Sequence, residues 1–204
     1  MEEAPKEDLP MVDLGGDLAL IVGQDDSQIR IQVSKAHLSF ASSYFKTLLG
    51  PRFMEGSAAE AGKALVLKDD DPEAFTVLMK ILHMRHDLKT PMAADELLAL
   101  AVVADKYGFT QALKLPSKAL FPNLIKPSYR EVFDLTSAAY LFGHSSLFYE
   151  FTKTLLLDFC PEKVDRNGFA TLSLSAPSAV WRTYMHRWIS HAKVKLDFER
   201  LTRS

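Results

Sequence analysis

The chain has 204 residues, 48% hydrophobic and 25% charged, enough to bury a full core in one generous domain or in a small domain with an extension. Its 24 basic and 26 acidic residues leave a formal charge of -2, a field too weak to make phosphate-backbone binding the expected task. A single cysteine, Cys160, excludes an internal disulfide and disfavours a cysteine-based zinc site.

The opening, Met1 to Pro10, is acidic and has no continuous apolar core, so it reads as neither a secretory signal nor a mitochondrial presequence. No stretch reaches the ~20 apolar residues of a membrane span. The expected compartment is intracellular: cytoplasm, nucleus or both. Residues 1–14 are expected to be a flexible lead-in. The run from Asp17 to Val22 is almost wholly apolar and ends at Gly23, which suits a strand buried on both faces. After the polar turn Gln24 to Ser27, Ile29, Ile31 and Val33 alternate with Arg30 and Gln32, so a second strand closes a hairpin.

The period then becomes helical. Ser42 or Ser43 can cap a helix with Tyr44, Phe45, Leu48 and Leu49 on one face, stopped by Gly50-Pro51. A loop runs through Arg52 to Gly56 and on through a small-residue stretch to Gly62. Leu65 to Leu67 reads as a third strand. Asp71-Pro72-Glu73 is a helix start, with Phe75, Leu78, Met79 and Leu82 as its apolar stripe. His83 to Thr90 is a polar connection. Leu97, Leu100, Ala101 and Ala104 mark the next helix, closed near Gly108, and Pro116 and Pro122 bracket a short helical piece. Beyond Pro127 the pattern is all-helical. Ser128 and Glu131 form a capping box before Val132, Leu135, Ala139 and Phe142, and Gly143 closes that helix. Leu147, Phe148, Phe151, Leu155 and Phe159 define another, and Trp181, Tyr184, Met185 and Trp188 a last one.

Four ordered pieces of this text carry a resemblance. DLALIVG, IRIQVSKAHLSFASSYFKTLLGPRFMEG, LKDDDPEAFTVLMKILHMRH and LLALAVVADKYGF resemble the BTB/POZ domain in the form common in filamentous fungi. Together they cover about residues 15 to 120. The resemblance implies an α+β fold, a small sheet flanked by a cluster of helices. Residues 15–122 would form that domain and residues 123–204 an all-helical extension. It also implies a non-catalytic protein–protein interaction module.

In relatives that bind cullin scaffolds of ubiquitin ligases, the loop after the helix carries a hydrophobic residue, any residue, then Glu. Phe53 and Glu55 match that pattern. An exposed aromatic there can act as a hot spot worth about 2 kcal/mol or more, with Glu55 adding orientation. The bland alternative folds Phe53 back onto its own domain and leaves Glu55 solvated. Tyr44, on the preceding helix, joins the candidate partner surface. Asp17 and Lys35 match charged positions near the dimer surface of related domains; the alternative has Asp17 bonding local backbone and Lys35 solvated. The strand-exchanged dimers of the family use a helix before the sheet. Sixteen residues precede Asp17 here, with two prolines and two glycines, so the expectation is a weaker homodimer or a monomer.

The remaining candidates read as structure. His83 and His86 lie three apart, but zinc needs further ligands that no nearby cysteine or paired carboxylate supplies; the resemblance includes Leu82-His83 as a structural pair. Cys160 reads as small apolar filler. No Gly-x-Ser-x-Gly and no phosphate-cradling glycine loop is present. Arg187, His191 and Lys195 read as a solvated helix face. The expectation is therefore no enzyme, cofactor, metal, nucleic-acid or membrane partner. The leading reading is an adaptor docking on a cullin-type ubiquitin ligase; the alternative is a self-associating assembly protein.

Overall fold

The computed structural model describes residue 12 and residues 15–53, 55–56, 62–85, 87–123 and 125–158. The chain divides into two units, Met1–Leu155 and Leu156–Ser204, and the architecture below belongs to the first. The readings made for Cys160, for His86 and for the helix bearing Trp181 and Trp188 lie outside the described residues.

The apolar run forms β1 (Leu18–Val22), and the alternating run forms β2 (Ile29–Val33). They pair antiparallel, Leu20 opposite Ile31, across a short 3-10 turn at Asp25–Ser27. β3 (Leu65–Leu67) pairs parallel with β1, so the sheet order is β2-β1-β3. β1 is central, which is why Leu18, Ala19, Leu20 and Val22 are all buried. Gly23 ends it at φ +93, where a Cβ would lie 2.7 Å from the ring of Pro72. Only glycine lets the helix that Pro72 opens start this close to the sheet.

Two helices, not one, follow the hairpin: α1 (Lys35–Ala41) and α2 (Ser43–Leu48). Ser34 caps the first through its hydroxyl, which accepts from the His37 N–H. Ser42, in extended geometry, breaks the pair and caps the second, accepting from the Phe45 N–H at 3.1 Å. The expected apolar face of the second helix holds for Phe45 and Leu49, which are buried, but Tyr44 faces outward.

α3 (Pro72–Leu82) starts as the sequence indicates, with the Ala74 N–H donating to Asp71 Oδ1 at 2.8 Å. It buries Phe75, Leu78 and Met79. At its C-terminal end His83 Nε2 accepts from the Ser34 N–H at 3.0 Å, while Nδ1 bonds the Met79 carbonyl at 2.8 Å. A carbonyl can only accept and a backbone N–H can only donate, so Nδ1 is the donor and Nε2 the acceptor of this pair of bonds. His83 thus ties α3 to the start of α1, a structural role.

α4 (Ala94–Lys106) buries the expected Leu97, Leu100, Ala101 and Ala104, and also Leu98 and Val103. A short α5 (Thr110–Leu113) and a 3-10 segment (Pro116–Leu120) lead to α6 (Tyr129–Leu141) and α7 (Ser145–Asp158). The Ser128–Glu131 box is closed in both directions, Ser128 N–H to Glu131 Oε2 at 2.8 Å and Glu131 N–H to Ser128 Oγ at 3.3 Å. The Ser128 side chain, then its backbone N–H, hold the Glu131 carboxyl below its ordinary range. One hydrophobic cluster runs from Leu20 and Ile31 through Phe45, Phe75 and Leu100 to Leu135, Ala138 and Phe142. Val12 joins the same core.

Candidate partner-docking surface

α2 ends at Gly50-Pro51, and the chain turns back at once. The Phe53 N–H donates to the Gly50 carbonyl at 3.3 Å. Gly56 is buried against that same carbonyl: a Cβ there would stand 2.2 Å from the Gly50 oxygen, so the loop closes only with glycine at this position. Within the closed loop Phe53 keeps 44% of its surface in water. Glu55 is partly buried and helical, together with Gly56. This corrects the expectation that Glu55 and Gly56 continue an irregular loop.

Tyr44, 47% exposed, stands edge-on to Phe45 and Tyr107, with ring centres 5.6 and 5.2 Å away. Behind it lies a polar network that no local motif announced. The Asp70 side chain, 3% exposed, accepts from Lys106 Nζ at 2.7 Å and from the Tyr107 hydroxyl. The Tyr107 carbonyl accepts from the Ser42 hydroxyl at 2.6 Å. Burial, and then the bond to Asp70, push the Tyr107 phenol far above its ordinary value, so it stays a donor at any physiological pH. The chain thereby fixes the helix break at Ser42, the base of Tyr44 and the strand-to-helix turn as one unit.

Asp17 and Lys35 form a separate group. Asp17 Oδ1 accepts from the Lys35 backbone N–H at 2.7 Å, at the first residue of α1. The carboxylate stabilises the positive end of that helix, and it does so across 18 residues of sequence rather than through local backbone. Seven helical residues, about 10 Å of rise, separate this pair from α2. Between the two groups Phe40 is 95% exposed on α1. Sequence reasoning missed it because α1 buries fully only Leu38 and shows no stripe against which an outward aromatic could be noticed.

Among the described residues no cluster of histidine, cysteine and carboxylates could hold a metal. A groove of about 400 Å³ between the N-terminal halves of α3 and α4 is lined by Asp71, Glu73, Asp95 and Glu96, but by no serine, cysteine or histidine. Two of these carboxylates are committed to helix starts, Asp71 to Ala74 and Glu96 to the Ala93 N–H at 3.0 Å.

A small mixed sheet under helices, with aromatic side chains held outward by a closed loop and two short helices, defines a scaffold suited to grip other polypeptides. Residues 15–121, just over half of the chain, match the family model of the BTB/POZ domain, and the chain belongs to the BTB/POZ family. BTB/POZ domains are protein–protein interaction modules. A search of curated proteins returns no match to this chain.

Proposed function

We propose that this protein is an intracellular adaptor, in cytoplasm or nucleus, that docks on a cullin-type ubiquitin ligase through the Phe53–Glu55 loop. One observation carries the reading: Phe53 is held half-exposed on a loop whose closure depends on Gly56. A rigid, outward aromatic loses little entropy on insertion into a partner pocket. Glu55 contributes charge complementarity and register. The mechanism is noncovalent, and no residue changes chemically. Phe53→Ala combined with Glu55→Lys should abolish capture of a purified cullin N-terminal domain while leaving the melting temperature nearly unchanged. Undiminished capture by the variant, or none by the wild type, ends the adaptor reading.

Self-association is the second reading, and Phe40 favours it. A phenylalanine 95% in water on an ordered helix is a ready contact for a second copy. Light scattering across a range of concentrations should show growing mass, reversed by Phe40→Asp. A mass that stays monomeric at every concentration removes this reading.

A further inference from the structure

From Lys106 to Arg130 the chain carries five basic residues, Lys106, Lys114, Lys118, Lys126 and Arg130, and no acidic one. In a chain of formal charge -2 this is a local reversal of sign. Lys106 is spent on Asp70 and Arg130 on Asp134, at 2.7 and 2.9 Å. Lys114, Lys118 and Lys126 are exposed and make no ion pair among the described residues. Beside them stand the two most exposed aliphatic side chains of the described residues, Leu115 at 86% and Ile125 at 92%.

The segment is fixed, which separates it from an ordinary solvated loop. Ser117 is buried, its hydroxyl 2.9 Å from His144 Nε2. Phe121 stacks on Phe151 at 6.0 Å and meets the His144 ring edge-on at 5.7 Å. Pro116, Pro122 and Pro127 restrict the backbone, and Lys126 sits at φ +57 directly before Pro127. The inner side is thus pinned to the α6–α7 joint, while the lysines and the two aliphatic side chains remain in water. Lys118 and Lys114 both lie close enough to His144 to disfavour its protonated form, so their charges converge on one region.

We propose that Lys114, Leu115, Lys118, Ile125 and Lys126 form a second docking surface, and that its occupant is an acidic protein segment bearing aliphatic side chains. The inference rests on the reading of this chain as a protein-interaction module and names another face of it, apart from the Phe53 loop. Carboxylates of the partner would meet Lys114, Lys118 and Lys126, and its aliphatic groups would cover Leu115 and Ile125. A polypeptide fits better than an anionic membrane. Membrane recognition takes clusters of roughly four to eight Lys/Arg or a long amphipathic helix. Three free lysines, one capping the short α5, one on a 3-10 segment and one in a proline-bracketed linker, supply neither.

The test uses the full chain and a fluorescein-labelled peptide of alternating glutamate and leucine pairs, followed by anisotropy. Saturable binding that weakens with added salt is expected. Lys114→Glu with Lys118→Glu and Lys126→Glu should weaken it on the order of tenfold, and Leu115→Ser with Ile125→Ser should weaken it at constant charge. Phe53→Ala with Glu55→Lys should leave it unchanged, which keeps this result independent of the cullin experiment. The three lysines, Leu115 and Ile125 are all exposed, so the melting curves of these variants should match wild type; should the charge-reversed variant unfold, Lys→Gln at the same three positions decides. The proposal falls if binding does not saturate, if a glutamine-for-glutamate peptide binds equally, or if the variants bind like wild type. It falls equally if phosphatidylserine vesicles are bound through these lysines and the peptide is not.

Discussion

The Asp70 carboxylate is almost wholly out of water, with an ammonium on one oxygen and a phenol on the other. Such a group stabilises only while every partner is present. Asp70→Ala strands the buried Tyr107 hydroxyl and should cost about 3 kcal/mol in urea denaturation. Tyr107→Phe removes one of two donors and should cost about 1–2 kcal/mol. Asp71, next in sequence, was legible as a cap because its partner lies three residues on. Asp70 was not, because its partners are 36 and 37 residues away and Ser42 reaches Tyr107 over 65. His144 makes a second residue-scale prediction. Burial first, then Lys118 and Lys114, lower its pKa below the ordinary 6.5. The unfolded chain therefore takes up the proton first as pH falls. The contribution of neutral His144 is fully present above 6.5 and is lost as pH drops through the depressed folded value. In thermal melts from about pH 8 to about pH 5, a range that spans histidine titration, wild type should lose stability on the acid side more steeply than His144→Gln. Parallel acid limbs would show that this ring does not titrate with folding.

α3 shows how far periodicity reaches at the scale of the element. Its cap, its first-turn proline and its stripe were all written locally, and Phe75, Leu78 and Met79 are fully buried while Leu82, the last of the stripe, is only partly so. Leu78→Asp should place an unpaired charge in the core and abolish cooperative melting; a soluble variant with a sharp transition would put Leu78 on the wrong face. The α1–α2 break was illegible for a related reason. A helix with one fully buried side chain has no readable stripe, and the break at Ser42 is set by the Tyr107 carbonyl across the core. His83 lies between these cases: its spacing to His86 hinted at metal, whereas its two hydrogen bonds are spent on α1 and α3. His83→Ala should leave the Ser34 N–H without its acceptor and cost about 1–3 kcal/mol in denaturant unfolding.

For the whole molecule, the family match ends at residue 121 but the packing does not. α4 buries residues beyond its single expected stripe, Leu98 and Val103 among them, and a helix covered on more than one face needs neighbours on more than one side. α3 packs on α4, and α6 packs on it too, so one core is shared between the domain and the start of the extension. Residues 15–121 were readable as a unit because their order and spacing carry the resemblance. The dependence on α6 was hidden, since no local pattern states which helix covers α4. A chain cut after Pro122 would lose the burial of Val132, Leu135 and Phe142, each fully or almost fully enclosed. At about 1.5–3 kcal/mol per side chain this is roughly 5–9 kcal/mol as an upper bound, comparable to the whole stability of an ordinary domain of about 5–15 kcal/mol. The shortened chain should therefore bind a hydrophobic dye and melt without a cooperative transition, whereas a chain ending after α7 should melt sharply. If the cut at Pro122 instead gave a sharp melt close to that of the full chain, α6 would be an independent neighbour. The second docking surface at the 114–126 joint would then have to stand without the α6–α7 platform that pins it.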